Sequence, residues 1–493
     1  MEKEQSFNRL FVGGDLSGIQ KFLYNISSKK AAVSLKGRSY YLRQLMDNVC
    51  TDIKQAAEAS GAKTARVIYC SGGKFYLLTD NTPQIGEAVE ACAKKAKQKL
   101  WEEHKGQLGL SVSYVTFNEN PDGTVDCQDA PQQKPGYLWK MANADFARQK
   151  SQKFKEPLTE SYQDFFEPIP VGEKPKVCAV TGIESPDCVK MKGLSEDGDA
   201  YVLPSVYQQI QLGEELRQQE GFKTFEEYAK PTNLGILRMD IDGLGKRFIE
   251  GFESIRDYEA FSKRLVDFFE KEIQKIQRES SFKSFLNIIY AGGDDLFVVG
   301  RWDKVIDFAE RIHKEIKERF GNEGISISGG IAVVQPKYPI SKAAELAGDA
   351  EDAAKNYHDS EKGDKNAFHM LGKTVSWNEE FDYVKSFKQQ FVSLIKNYGL
   401  SKGVLHKLML CSSIADRNKV LRKEGKQEDF SYIWHISYYL TRYMKRYESN
   451  RVVCDFCRSL RDHELDYRNG RRLELIALAA RWAELILKDN IDN

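Results

Sequence analysis

Residues 238–246, RMDIDGLGK, and residues 287–299, NIIYAGGDDLFVV, decide the fold. Leu234–Asp240 is a largely apolar run that ends in carboxylates, as a buried strand leading into a polar loop does. The Gly-Gly pair at 292–293 divides two further apolar runs, Phe285–Tyr290 and Leu296–Val299, and reads as a hairpin turn. Between these motifs Phe261, Leu265, Phe268, Phe269, Ile273 and Ile276 recur at helical spacing. Beyond the hairpin, Val305, Ile306, Ala309, Ile312, Ile316 and Phe320 mark a second amphipathic helix. Gly324–Val334 follows as a strand, and Ala343–Tyr357 as an Ala-rich helix. The order βαββαβ, with an added helix, is the ferredoxin-like palm arrangement.

The same outline occurs earlier in the chain. Residues 13–21 read GGDLSGIQK and residues 66–78 read RVIYCSGGKFYLL. Setting Asp15 on Asp240 puts Gly18 on Gly243, Ile19 on Leu244 and Lys21 on Lys246. The interval from Asp15 to Gly72 is 57 residues, and from Asp240 to Gly292 it is 52. Paired motifs at nearly equal separation indicate an internal duplication. The fold class is therefore α+β, with two palms. The expected domains are a first palm over 1–130, a linker domain over 131–230, a second palm over 231–375 and a helical domain over 376–493. In the last, Phe387–Ile395, Ile433–Tyr447 and Leu473–Leu487 carry apolar residues at three- and four-residue steps.

Transfer of a nucleotidyl group needs cations on the phosphates and an aligned hydroxyl. Mg²⁺ takes oxygen ligands, commonly one or two carboxylates together with substrate phosphates. Asp240 and Asp295 are the expected principal metal ligands. Asp294 is a further ligand or a base near the hydroxyl, and Asp242 shares a strand face with Asp240 if the strand stays regular that far. Gly292 and Gly293 let the turn tighten and phosphates approach the backbone. Lys246 and Lys365 are candidate phosphate contacts. In the first copy, matching Gly-Gly to Gly-Gly puts Lys74 in place of Asp294, Phe75 in place of Asp295 and Ser17 in place of Asp242. A lysine has no lone pair for a cation, so this copy is expected not to hold two metals. Its Ser71, Gly72, Gly73, Lys74 turn suits a phosphate, bound by backbone N–H groups and one positive charge. The expected ligand is a second, acceptor nucleotide; the alternative is a scaffold that only buries a face of the active palm.

The net charge is +1, with 41% hydrophobic and 29% charged residues. No global field marks a nucleic-acid binder, so any basic surface is local; Arg/Lys-rich stretches lie at 417–426, 442–451 and 468–472. No secretory signal or membrane-length apolar run is evident. Nine cysteines without framework spacing fit reduced thiols, and a cytoplasmic setting is expected. Cys178 and Cys188 each lack a CxxC mate, so no zinc is expected there. Cys454 and Cys457 form a CxxC with His463 nearby, which reads as helical i,i+3 spacing more readily than as a closed metal site.

GDLSGIQKFLYNI, LKGRSYYL, YCSGGKFYLL and the DxDxxG and GGDD palm together resemble the large subunit of type III CRISPR effector complexes, most nearly the III-A (Csm) kind. The resemblance runs through nearly the whole chain. It implies assembly with guide RNA and smaller Csm-type subunits, and activation by target RNA. It implies synthesis of cyclic oligoadenylate from ATP, with Mg²⁺ or Mn²⁺, at Asp240, Asp242, Gly292, Gly293, Asp294 and Asp295. Relatives often begin with an HD nuclease domain; with the first palm starting near residue 10, no such activity is expected here. Two other readings stand beside this one: transfer of AMP to another acceptor such as S-adenosylmethionine, and a non-catalytic RNA-binding scaffold.

Overall fold

The computed structural model describes residues 7–26, 29–104, 106–128, 130–160, 162, 166, 176–195, 198–230, 232–359, 363–465 and 470–489. Residues 468–469 of one basic stretch, and residue 231 at the expected start of the second palm, lie outside them. The chain packs as two compact units, one formed by Met1–Ile325 with Val334–Glu345 and the other by Ser326–Val333 with Leu346–Asn493.

The first unit holds the first palm sheet. Strand Arg9–Ser17 lies between Lys74–Asp80 and Gly109–Glu119, antiparallel to both, and Ala65–Ser71 forms the edge beyond Lys74–Asp80. The spatial order is that of a ferredoxin-like βαββαβ unit, extended by short strands Val125–Cys127 and Ala130–Gln133. Phe11, Val12, Phe75 and Leu77 are fully buried in it. The same unit carries Leu234–Ile241, Leu286–Gly292 and Asp295–Arg301, with Asp295–Arg301 between the other two. Ile236, Leu237, Val298 and Val299 are buried on these strands, and Trp302, Val305, Ile306 and Ile312 on the helix Trp302–Phe320. The expected single helix over Phe261–Ile276 is interrupted: Ile255–Asp267 is α-helical, Phe268–Glu272 is a π-turn, and Ile273–Gln277 resumes the α-helix.

Helix Gly136–Ser151 ties the palms together. Its Trp139 stacks on Tyr258 with ring centroids 3.9 Å apart and also meets Phe11, Tyr76 and Phe248. One indole thus fills a space lined by aromatic residues of both copies.

The second unit contains strand Ile327–Val334 as far as Val333, parallel to Ala367–Met370, which pairs in turn with Lys373–Ser376. Helices Glu380–Tyr398, Gly403–Lys423, Ser431–Arg446, Arg451–Ser459 and Arg471–Lys488 follow. Gly403–Lys423 was not expected from periodicity, because GVLHKLMLCSSIADRNKVLRK distributes its apolar residues around the helix. Cys454 and Cys457 lie on one helix, both buried, and the Cys454 thiol faces the carbonyls of Met444 and Tyr447 at 3.2 and 3.1 Å.

Strand pairing corrects the alignment of the two hairpins by one residue. Asp15 pairs with Lys74, as Asp240 pairs with Asp295. Ser71 pairs with Lys74 across its turn, as Gly292 pairs with Asp295. The backbone agrees: Leu16 N–H donates to Gly73 O at 2.8 Å, and Ile241 N–H to Asp294 O at 3.3 Å. Lys74 therefore stands where Asp295 stands, Gly73 where Asp294 does, and Ser71 where Gly292 does. Matching the glycine pairs misses this because the two-residue turns are Gly72–Gly73 and Gly293–Asp294, so only one glycine is shared.

Candidate active site

Asp240 lies next to the C-terminal end of its strand, and Asp295 opens the neighbouring strand directly opposite. Asp294 occupies the second position of the turn. One carboxylate oxygen from each of these residues lies within 4.8 Å of the others, and all three are half-buried. Three negative groups so close repel unless a cation joins them or a proton is taken up. The all-oxygen set fits Mg²⁺ or Mn²⁺. Among the described residues no other His, Cys, Asp and Glu side chains form such a group.

Asp242 falls outside this group. The strand ends at Ile241 and the chain turns through Gly243, whose φ is 67°, so alternation of faces no longer carries from 240 to 242. Lys246 is exposed on helix Leu244–Glu250, with its Nζ 3.8 Å from Glu250 Oε2. Lys365 lies in the second unit with φ 60°, and its N–H donates to Tyr357 O at 2.9 Å.

Two tyrosines border the carboxylates. Burial pushes the Tyr69 phenol well up, and Asp294 adds to it. Burial does the same to Tyr290, reinforced by Asp295, Asp294, Glu270 and Asp240. Both remain neutral O–H groups at physiological pH. In the first palm, by contrast, the buried Asp15 is already paired with Lys150 at 2.6 Å. That lysine and Lys74 occupy the sense of charge that cations would supply in the other copy.

The two hairpin turns touch. A Cβ on Gly72 would lie 2.9 Å from Gly293 Cα, and a Cβ on Gly293 would lie 2.9 Å from both Gly72 Cα and Tyr69 Oη. Gly72 and Gly293 have φ of 61° and 71°, which an L side chain rarely adopts. The Ser71 hydroxyl accepts from Gly293 N–H at 2.8 Å and donates to Glu270 Oε1 at 3.3 Å. Arg43 Nη2 donates to Glu270 Oε2 at 2.6 Å. Beside this contact a cavity of about 220 Å³ is lined by Ile19, Tyr40, Arg43, Gly73, Glu270 and Tyr290 among others. Arg43, Lys150, Glu270 and the two tyrosines were not singled out from the sequence. Arg43, Lys150 and Glu270 act from distant parts of the chain and sit in no motif, whereas Tyr69 and Tyr290 lie inside the two quoted hairpin motifs and were read there only as strand residues.

The fold and the carboxylate group define a tandem-palm protein with three convergent acids on one palm. Comparison with known proteins narrows this. Residues 8–169 match the family described as Csm1 subunit domain B, and residues 233–368 match the second palm domain of Cas10/Cmr2. Over most of its length the chain is similar to Cas10/Csm1 proteins of subtype III-A. It is 28% identical over 441 residues to the CRISPR system single-strand-specific deoxyribonuclease Cas10/Csm1 of Enterococcus italicus, covering 75% of this chain and 55% of that protein. The corresponding protein of Mycobacterium tuberculosis is 25% identical over 497 residues, covering 83% and 60%. The chain thus spans between half and two thirds of the length of these relatives. Among solved structures, a Csm1–Csm4 cassette in complex with pppApApA matches with a TM-score of 0.64 at 19% identity, covering 96% of this chain and 70% of that one. The cassette in complex with cA4 matches at 0.65 and 18%, with 96% and 70% covered. No helix among the described residues is long and apolar enough to cross a membrane.

Proposed function

We propose that this chain is a metal-dependent nucleotidyltransferase that makes cyclic oligoadenylate from ATP. It acts within a type III CRISPR effector complex, beside guide RNA and smaller Csm-type subunits, when target RNA binds. The observation that carries the reading is the convergence of Asp240, Asp294 and Asp295 on a glycine turn abutting a second palm. Solved relatives of the same fold hold pppApApA, cA4 or ATP. The domain limits read from the sequence, 1–130, 131–230, 231–375 and 376–493, remain our division of these roles.

Bound Mg²⁺ or Mn²⁺ supplies charge neutralisation for the triphosphate and for the charge that develops on the leaving pyrophosphate. Asp240 and Asp295 are the residues that hold it, with Asp294 either completing the ligand set or taking the proton of the attacking 3′-hydroxyl at a carboxylate oxygen. Gly292 and Gly293 leave the backbone open to the phosphates. Lys246 is a proposed phosphate contact and Asp242 a peripheral carboxylate. The acceptor nucleotide is assigned to the first palm, where Lys74 offers a positive charge beside the Ser71–Gly73 turn. The adjoining cavity of about 220 Å³ has the size for a purine base. Holding donor and acceptor on facing palms makes the encounter effectively unimolecular.

The test is mass spectrometry of products from the reconstituted complex given ATP, Mn²⁺ and target RNA. Cyclic oligoadenylate is expected from the wild type and none from the Asp294→Ala, Asp295→Ala double variant, which should still assemble. Product from the double variant, or ATP left unconsumed by the wild type, refutes the proposal.

A further inference from the structure

The contact between the turns is asymmetric, and the asymmetry has a chemical consequence. Ser71 and Gly292 are equivalent positions of the two hairpins, yet only one carries a side chain. A Cβ on Gly292 would come within 3.2 Å of Ser71 Oγ, so the hydroxyl occupies the space that the missing side chain leaves. There it accepts from the buried N–H of Gly293 at 2.8 Å. Gly293 is the first residue of the turn whose second residue is Asp294, and Asp295 follows immediately. Fixing this amide fixes the plane of the peptide that enters the turn, and hence where both carboxylates point.

The hydroxyl is itself held. It donates to Glu270 Oε1 at 3.3 Å, and Arg43 Nη2 holds the other oxygen of Glu270 at 2.6 Å. Glu270 lies in the π-turn Phe268–Glu272, and its side chain is only 16% exposed. A π-turn inserts one residue into a helix and re-aims the side chains beside it, a feature often found at functional sites. The chain of bonds therefore runs from Arg43 on helix Ala31–Ala59 of the first palm, through a re-aimed glutamate of the second palm, to the first palm's turn and back to the carboxylate turn.

We propose that Ser71 is a positioning residue for the carboxylates of the other palm, oriented by Glu270 and Arg43. The inference rests on the metal-binding role assigned above to Asp240, Asp294 and Asp295. Hydrogen bonds one step removed from metal ligands typically contribute on the order of 10- to 100-fold to metal affinity.

The test counts bound Mn²⁺ by paramagnetic resonance on the full chain, for the wild type and for Ser71→Ala, Ser71→Thr and Asp294→Ala, alongside thermal melts. Ser71→Ala should bind Mn²⁺ about 10- to 100-fold more weakly, with a melting temperature close to wild type, and Ser71→Thr, which keeps the hydroxyl, should restore binding. Ser71→Ala binding like the wild type, while Asp294→Ala does not bind, overturns the inference and leaves the proposed function standing. Equal weakening in Ser71→Ala and Ser71→Thr overturns it too, because packing rather than the hydroxyl would then matter. A wild type that binds no Mn²⁺ sinks both.

Discussion

At the scale of single residues, the carboxylates of the second palm are not equivalent. Asp240 and Asp295 face each other across one antiparallel register, so their separation is set by the sheet and not by a loop. Asp294 depends on the turn. Asp242 stands past the strand end and outside the group. We expect Asp240→Asn to lower the rate of product formation by at least about 10³-fold, since removing a group that stabilises developing charge costs on the order of 10²–10³ before any loss of cation is counted. Asp242→Asn should change it by less than about tenfold, as suits a group that does not touch the reacting atoms. Initial rates of ATP consumption at saturating Mn²⁺ check both, and comparable losses in the two variants would return Asp242 to the ligand set.

At the scale of elements, the site depends on two hairpin turns meeting backbone to backbone. Gly72 has φ 61° and only 2.9 Å between its notional Cβ and Gly293 Cα. Gly72→Ala therefore meets strain in its own backbone and a collision with the opposing turn, together about 1–3 kcal/mol. The expected result is a protein that folds with a lowered melting temperature and has lost most of its product formation. An alanine variant with wild-type rates would show that the turns need not touch. Much of this element was legible beforehand: the duplication, the palm order, and the set Asp240, Asp294, Asp295 all follow from apolar runs and spacing. Register was not, because the identical Gly-Gly letters sit at different positions of their turns, and only the pairing of Ser71 with Lys74 and Gly292 with Asp295 reveals it. The π-turn at Phe268–Glu272 was hidden as well, since Phe268, Phe269 and Ile273 keep helical spacing through it. Nor does anything near Ser71 in sequence announce Glu270, which lies 199 residues away.

At the scale of the whole molecule, the two copies of one fold have divided their chemistry. The second keeps converging acids, while the first has replaced them with Lys74 and a carboxylate already paired to Lys150. The second unit has its own electrostatic anchor, independent of that site. Glu474, 9% exposed on the last helix, accepts from Lys419 Nζ at 2.9 Å and lies 3.1 Å from Lys373 and 3.2 Å from Arg471. Burial alone would raise its pKa, but the hydrogen bond from Lys419 and the charges of Lys373, Arg471 and Lys419 outweigh burial and hold it down at about 2. A carboxyl depressed in the folded state contributes stability that is complete above its unfolded pKa, near 4.5, and is lost as pH falls through about 2. The shift corresponds to at most about 3 kcal/mol. Neutralising Glu474 leaves Lys373 and Lys419 sharing Asp416, and Arg471 on Glu380, so part of the cations' compensation is lost while each keeps one carboxylate. Glu474→Gln should therefore be less stable than the wild type at pH 7, and the difference between the two should shrink steadily between about pH 5 and pH 2. Denaturant melts of both proteins across that range measure the difference directly, and because both share every other titrating group, those contributions cancel. A difference that stays constant with pH would mean that Glu474 holds the helices by packing and not by its charge.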